Sequence, residues 1–213
     1  MPTERFWRLP EAKRQMIREA ALQEFARVPY EKVSINQIIH NADISRGSFY
    51  TYFEDKDDLL QFVFSDTHEQ LRQLCEDELE KNGGDYFAML EAVFDFFTDQ
   101  LRQTQIMIEV ARNVFSYRGS PDVLGMDTEC WGGMIQNELG DGPLKWLYDH
   151  IDKRRFRYQK TEEYEPLLML GTTAVLLTIK RLYDCPEQME EARRMFLGTL
   201  DVLKNGAYRA ATN

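Results

Sequence analysis

Two short amphipathic segments, each opened by a serine, occupy residues 34–53 and constrain the fold more than any other part of the chain. The hydroxyl of Ser34 can accept a hydrogen bond from a backbone amide in the first turn of a helix that follows it. A second helix is predicted after Ser45, where Phe49 and Phe53 lie four residues apart and therefore share one face. A turn of about three residues separates the two helices. The pattern predicts a helix-turn-helix, the motif whose second helix can enter the major groove of DNA.

The outward face of the second segment carries the residues that we expect to contact DNA. With both phenylalanines turned inward, Arg46, Gly47, Ser48, Tyr50 and Thr51 point outward. An arginine can bind guanine or a phosphate, a glycine allows close approach, and hydroxyl groups can bind phosphates or base edges. Two helices joined by a turn also occur as plain packing, which is the alternative interpretation of this pattern.

An earlier helix is predicted at about residues 10–26. Pro10 suits a first helical turn, where its missing amide is no loss, and apolar residues recur at fourfold spacing from Ile17 to Phe25. Together with the two segments above, this helix makes a three-helix N-terminal domain. We assign residues 1–55 to this helix-turn-helix DNA-binding domain.

The distribution of charge decides whether DNA is a reasonable partner for an acidic chain. The net charge is −10, but residues 1–56 hold nine Lys and Arg against eight Asp and Glu, a balance of +1. The remaining residues have a balance of −11. DNA affinity requires positive charge only where the phosphates lie, so the acidic remainder does not exclude DNA. Solvated helix charge is the alternative explanation for the basic residues.

Within residues 20–60 the chain resembles the N-terminal domain of the TetR/AcrR family of transcriptional regulators, in register and without a gap. The matching residues are Ala20-Ala21, Phe25, Tyr30-Glu31-Lys32-Val33-Ser34-Ile35-Asn36-Gln37-Ile38 and the run Ala42-Asp43-Ile44-Ser45-Arg46-Gly47-Ser48-Phe49-Tyr50-Thr51-Tyr52-Phe53-Glu54-Asp55-Lys56-Asp57-Asp58-Leu59-Leu60. The resemblance implies that Ser34 and Lys56 bind phosphates. It leaves Tyr52 open, since the ring can be core while the hydroxyl reaches a phosphate. It also implies double-stranded operator DNA as a partner.

The chain departs from this family at three positions. Pro29 and Asp43 stand where the family commonly has glycine, and Thr51 stands where it often has a larger phosphate contact. Asp tolerates the left-handed backbone better than most residues, so we expect the turn at Asp43 to survive.

The rest of the chain, residues 56–213, is predicted to be a larger helical domain. Its first helix should run from Lys56 to about Lys81, capped by Asp55 and ended by Gly83-Gly84. Apolar spacing predicts further helices near residues 87–101, 106–115, 145–153, 161–183 and 186–205, the last ending at Asn205-Gly206. Glycines and prolines interrupt residues 117–143, for which we predict no long element. By resemblance, this domain binds a ligand and dimerises.

The helix predicted at residues 161–183 is apolar nearly all round between Leu167 and Ile179. Such a helix must be covered on all sides, by its own domain and by another copy of the chain. The resemblance implies that the last two helices pair with their mates as a four-helix interface. We therefore expect a homodimer through residues 161–205.

A small-molecule effector, unidentified in the sequence, is the other expected partner. Met and aromatic residues, which adapt to apolar ligands, are frequent between Phe87 and Trp146. The residues expected to line the pocket are Phe94, Phe97, Met107, Glu109, Phe115 and Trp146. Glu109 could hold a polar or cationic ligand group, or a neighbouring arginine. Ordinary core packing is the alternative for each of these residues.

Several classes of function are disfavoured by the sequence. The three histidines share no metal-ligand spacing, and neither a phosphate-binding glycine loop nor a nucleophile motif occurs. We therefore expect no enzyme, no catalytic residue, no metal site and no cofactor. The longest apolar segment is shorter than the roughly 20 residues that span a bilayer. We expect no membrane partner and a cytoplasmic protein.

The combined prediction is an all-α protein with an N-terminal three-helix helix-turn-helix domain and a larger C-terminal helical ligand-binding and dimerisation domain. Its expected function is a ligand-responsive transcriptional repressor. The dimer would bind an inverted-repeat operator and be released by a small lipophilic effector. A helical protein-interaction module is the alternative, and the residues 46–56 discriminate against it because such a module would not need them.

Overall fold

The computed structural model describes residues 2–103, 105–118 and 143–207, which form helices and connecting turns with no β-strand among them. The helices are α1 (Glu4–Trp7), α2 (Glu11–Arg27), α3 (Ile35–Asn41), α4 (Arg46–Tyr52), α5 (Lys56–Lys81), α6 (Tyr86–Gln103), α7 (Gln105–Arg118), α8 (Pro143–His150), α9 (Tyr164–Asp184) and α10 (Met189–Ala207). Short 3₁₀ turns lie at Tyr30–Lys32, Lys153–Arg155, Thr161–Glu163 and Pro186–Gln188. The predicted all-α fold class is confirmed.

The predicted ends of α5 are confirmed by its caps. The Asp55 carboxylate accepts hydrogen bonds from the amides of Asp57 and Asp58, at 2.8 and 3.0 Å. After the helix, Gly83 and Gly84 have φ angles of 60° and 76°, which are left-handed conformations that favour glycine.

The predicted end of the last helix is wrong. Helix α10 begins at Met189 and continues through Asn205 and Gly206 to Ala207. Gly206 is not among the described residues with positive φ, so it is an ordinary helical residue and not a left-handed cap. The helix predicted near residues 145–153 begins and ends slightly earlier, as α8. Residues 119–142, most of the stretch without a predicted element, lie outside the described part of the chain.

Contacts within the chain group it into two compact units. Of the described residues, the first unit comprises 2–69 and 105–118, and the second comprises 70–103 and 143–207. This grouping differs from the predicted division at residue 55, because α7 packs on α2 and the first half of α5 also belongs to the first unit. A functional boundary at residue 55 stays a prediction.

The core of the first unit is built from phenylalanines that converge from several helices. Phe6 of α1 is fully buried and packs its ring against Phe53 and Phe62, with centroids 4.9 and 4.6 Å apart. Arg18 of α2 lies over the Phe62 ring at 4.3 Å and donates to the Val63 carbonyl at 2.8 Å. These contacts fix α1 and the start of α5 against the helices that carry the predicted DNA face.

The core of the second unit is centred on α9, which packs against α6, α8 and α10. Gly171 lets α9 approach α6 closely, since a Cβ there would lie 2.5 Å from the Tyr86 hydroxyl oxygen. The same hydroxyl donates to the Leu168 carbonyl at 2.8 Å. On α10, Phe196 stacks on Phe94 of α6 with centroids 4.7 Å apart.

In the described ranges, no helix combines the length and the apolar character needed to cross a membrane. The same ranges contain no group of three or more His, Cys, Asp or Glu residues placed to hold a metal ion.

Candidate nucleic-acid interface

Helix α3 begins where two side chains satisfy its free backbone amides. The Ser34 hydroxyl accepts a hydrogen bond from the Gln37 amide at 3.3 Å, as the sequence predicted. Glu24 of α2 accepts from the Ser34 amide at 3.0 Å and is held by Arg27 through two hydrogen bonds of 2.8 and 2.9 Å. Glu24 is 2% exposed, and a buried carboxylate needs hydrogen-bond partners. The Arg27 guanidinium and the Ser34 amide supply them. Because capping explains Ser34, its phosphate contact stays a prediction.

The turn between α3 and α4 is held by a lysine from α2. Asp43 has a φ angle of 48°, so the chain adopts the left-handed conformation that the sequence predicted for this position. The Lys13 ammonium donates to the carbonyls of Ala42 and Asp43, at 3.0 and 2.7 Å. This role of Lys13 could not be predicted from the sequence, because its two partners lie about 30 residues away along the chain.

Helix α4 presents the predicted outward face. Ser45 caps it by accepting from the Ser48 amide at 3.0 Å, while Phe49 is fully buried. Tyr50 is 48% exposed, and Arg46 is also exposed. The helix therefore turns Arg46 and Tyr50 to solvent, at the position from which a recognition helix contacts bases.

The guanidinium of Arg46 is held in place by two neighbours. It donates to the Asn36 side-chain oxygen of α3 at 2.8 Å. It also lies over the Tyr50 ring, 5.6 Å from the centroid. The sequence predicts no role for Asn36. Its contact with Arg46 joins two helices across the turn, so no spacing pattern along the chain indicates it.

The other residues of α4 that are predicted to contact DNA differ in their burial and in the hydrogen bonds that they make within the chain. A Cβ at Gly47 would meet only Ser45 Oγ, at 3.8 Å, so no packing demand explains this glycine. Thr51 donates its hydroxyl hydrogen to the Gly47 carbonyl at 2.9 Å, and Ser48 Oγ lies 2.8 Å from Ser45 Oγ. Tyr52 is half-buried, with its ring edge-on to Phe6.

Two features near this face come from contacts far apart in the sequence. Lys56, the predicted phosphate contact, donates to the Tyr30 carbonyl at 2.9 Å and lies 4.2 Å from the centre of the Tyr30 ring. An ammonium has three donors, so this bond leaves two for a phosphate. At the end of α4, Thr3 donates its amide to the Tyr52 carbonyl at 2.9 Å and its hydroxyl to the Thr51 carbonyl at 2.8 Å.

Comparison with known proteins supports the same interpretation of this face. The model of the family described as bacterial regulatory proteins, tetR family, matches residues 17–63, which contain α3, the turn and α4. Residues 17–63 therefore form a tetR-type helix-turn-helix region. Within the family match lie all the predicted DNA contacts from Ser34 to Lys56.

The relatives that this chain matches are distant in sequence. It is 27% identical over 100 residues to YdgC of Bacillus subtilis (strain 168), an uncharacterised helix-turn-helix transcriptional regulator, covering 44% of this chain and 51% of that one. The chain thus spans about half the length of this curated relative. NalD of Pseudomonas aeruginosa, the secondary repressor of the MexAB-OprM multidrug efflux pump, matches in structure with a TM-score of 0.59. Identity is 18%, over 93% of this chain and 98% of NalD, so the likeness concerns the fold.

A second structure with the same fold is the fatty acid degradation regulator FadR of Bacillus halodurans. The TM-score is 0.52 and the identity 14%, over 93% of this chain and 98% of FadR.

The predicted effector residues of this chain fall into both units. Phe94 and Phe97 are fully buried in the second unit, where Trp146 is half-buried and stacks on His150. In the first unit, Met107 is half-buried, and Glu109 pairs with Arg112 at 3.3 Å. Phe115 lies in α7, but its side chain is outside the described part of the structure. The effector pocket therefore stays a prediction.

A cavity of about 270 Å³ lies in the second unit between α6 and α10. It is lined by Phe94, Asp95, Thr98, Asp99, Met189, Glu190 and Arg193. Arg193 pairs with Asp95, and this bond raises the pKa of the guanidinium further above its ordinary value. The lining is dominated by charged side chains, which distinguishes it from the lipophilic pocket that the sequence predicted.

Helices α9 and α10 leave several large apolar side chains exposed. They are Met169, Leu170 and Leu177 on α9 and Met195 and Val202 on α10, with exposed fractions from 37% to 72%. All five lie within the segment predicted to form the dimer, residues 161–205.

Proposed function

We propose that this chain is a ligand-responsive transcriptional repressor that binds an inverted-repeat operator in double-stranded DNA as a homodimer. The observation that carries the proposal is the exposed face of α4. There Arg46 and Tyr50 project from the second helix of the motif, while Phe49 anchors the opposite side. Arginine is the side chain that most often reads guanine in the major groove. We assign the chain no catalytic activity.

Binding to DNA is tested by selection from a random double-stranded library, followed by titration of the enriched sequence. We expect enrichment of an inverted repeat, because two copies related by a twofold axis present two recognition helices. Arg46→Ala should weaken binding about 5- to 100-fold and relax the preference at one position in each half-site. The control Arg154→Ala removes an exposed arginine of the second unit and should leave affinity unchanged. Failure of the wild-type protein to enrich any sequence would contradict the proposal.

A homodimer through residues 161–205 is supported by the exposed apolar side chains of α9 and α10. Met195 is 52% exposed, Leu177 64% and Val202 72%. Large apolar side chains exposed in this number are an aggregation hazard unless a partner covers them. A twofold interface would bring the same two helices of each copy together.

Release by a small lipophilic effector is supported by the course of α5. This helix begins in the first unit with Lys56 and ends in the second with Lys81. A ligand bound in the second unit could therefore act on the first unit through one continuous helix. A repressor of a multidrug efflux pump and a regulator of fatty acid degradation share the fold, which suits an effector of this class.

The effector proposal is tested by screening lipophilic compounds against the fluorescence of the three tryptophans, and then repeating the DNA titration with each saturating compound. A compound that prefers the DNA-free conformation must weaken DNA binding, and DNA must weaken its binding by the same factor. Coupling of this kind typically amounts to about 1–3 kcal/mol. Tight binders that leave DNA affinity untouched would contradict the effector proposal and leave DNA binding standing.

A further inference from the structure

Asn36 connects the first helix of the motif to the exposed arginine of the second. It lies in the first turn of α3, is exposed, and accepts a hydrogen bond from Arg46 at 2.8 Å. The guanidinium also lies over the ring of Tyr50, 5.6 Å from the ring centroid. Two side chains from two helices therefore define where the Arg46 guanidinium lies before any DNA is present.

We propose that Asn36 is a specificity-determining positioning residue, which orients Arg46 for bidentate contact with the O6 and N7 atoms of one guanine in each half-site. The inference rests on the proposed DNA-binding function. It specifies guanine as the base that α4 contacts and Asn36 as the residue that makes this contact selective.

The hydrogen-bond inventory of the pair is compatible with this role. A guanidinium has five N–H donors in a rigid, planar fork, and the bond to Asn36 uses one of them. Each terminal nitrogen carries two hydrogens, so both nitrogens keep a donor for the two acceptors of guanine. Holding a long, flexible side chain in its binding geometry lowers the entropy lost when the complex forms.

The neutrality of the partner matters as much as its position. An amide oxygen accepts from the guanidinium without cancelling its charge, whereas a carboxylate at residue 36 would form an ion pair. The Arg46 charge therefore stays available to the negative potential of the groove. Asn36 orients the arginine and leaves its attraction for DNA intact.

The test is a double-mutant cycle read out as base preference. Wild type, Asn36→Ala, Arg46→Ala and the double variant are each titrated against the sequence selected by the wild-type protein and against duplexes that replace each guanine in turn. We expect Asn36→Ala to lose preference at the base pair that Arg46→Ala also affects, by about two- to tenfold, the range for one lost hydrogen bond. In the Arg46→Ala background, removing Asn36 should change that preference no further.

Two more variants separate positioning from other causes. Asn36→Asp keeps an acceptor for Arg46, so it should retain the preference at that base pair while weakening affinity for every sequence through its negative charge. Asn41→Ala, which removes another exposed asparagine from α3, should leave the preference unchanged.

Different outcomes would overturn different conclusions. If Asn36→Ala keeps the wild-type preference, shifts it at another base pair, or adds its full effect to that of Arg46→Ala, Asn36 is not a positioning residue for Arg46. If Asn36→Asp loses the preference as completely as Asn36→Ala, the accepting oxygen is not what matters. If the wild-type protein enriches no DNA at all, the proposed function fails and this inference with it.

Discussion

Lys56 stands at the first residue of α5, and part of its hydrogen-bonding capacity is used within the fold. Its ammonium donates to the Tyr30 carbonyl and lies over the same residue's ring. The family resemblance of the sequence predicts a phosphate contact here, which the contact with Tyr30 does not exclude. Two roles for one side chain lead to two measurable effects of its removal.

We expect Lys56→Ala to lower the free energy of unfolding by about 1–3 kcal/mol, because a charged hydrogen bond and a cation–π contact are lost. It should also weaken binding to all DNA sequences alike and reduce the slope of log affinity against log salt by about one. Lys81→Ala, at the other end of the same helix, is the control. A loss of stability with an unchanged salt slope would show that Lys56 serves the fold alone.

Gly171 is the residue on which the close approach of α9 to α6 depends. A Cβ at this position would meet the Tyr86 hydroxyl at 2.5 Å and Leu90 Cδ1 at 2.8 Å. Gly171→Ala should therefore cost about 1–3 kcal/mol of stability through overpacking. Gly206→Ala places a methyl group where no atom lies within 4 Å. The free energy of unfolding of this variant should therefore stay the same or rise by up to about 1 kcal/mol. Equal thermal stability of the two variants would contradict this account of Gly171.

At the scale of elements, α7 closes the end of α2. The carbonyls of a last helical turn have no partner within their own helix. Asn113 of α7 supplies one, donating its side-chain amide to the carbonyls of Phe25 and Ala26 at 3.0 and 2.8 Å. These two bonds add to the packing of α7 on α2, which places α7 in the first unit although α6, the preceding helix, belongs to the second.

We expect Asn113→Ala to destabilise the protein by about 1–3 kcal/mol, since two partly buried acceptors lose their donor. Asn113→Asp should be worse, because a carboxylate offers no donor and adds negative charge beside a helix C-terminus. Gln105→Ala, an exposed change on the same helix, should stay within about 0.5 kcal/mol. Denaturant unfolding of the three variants checks this order, and an Asn113→Asp variant as stable as wild type would refute the cap.

The elements that sequence analysis predicted well are those with local signals. Ser34 and Ser45 mark helix starts through bonds to amides three residues on, and two glycines mark the end of α5. Helix α1 was not predicted, because its four residues are too few for a periodic pattern and Phe6 is buried by residues more than 40 positions away.

The candidate site follows the same division. Helical periodicity sufficed to place Arg46 and Tyr50 on the outer face of α4. The partners that hold this face, Asn36, Lys13 and Thr3, act across turns or between helices, where spacing along the chain carries no information. For the effector residues, spacing cannot separate the lining of a pocket from core, and Phe94 both stacks on Phe196 and lines the cavity between α6 and α10.

At the scale of the whole molecule, the exposed apolar side chains of α9 and α10 define the surface on which dimerisation is tested. Leu177→Glu would place a charge from each copy inside a twofold interface, where an unpaired charge is costly. We expect sedimentation to show a shift toward monomer and the affinity for an inverted repeat to fall. Met16→Glu is the matched control, since it charges an exposed apolar residue of α2 in the first unit. An intact dimer in Leu177→Glu would place the interface elsewhere.

The contacts that α2 makes with the helix-turn-helix determine how this part of the molecule unfolds locally. Helices α3 and α4 have seven residues each, too few to persist alone in water. Glu24 binds the start of α3, and Lys13 binds the turn between α3 and α4. Both short helices are therefore stabilised by contacts with the longer helix α2. Their amide protons should therefore exchange with solvent in a single cooperative opening that includes α2. We therefore expect the surface formed by α3 and α4 to be present as a whole or absent as a whole.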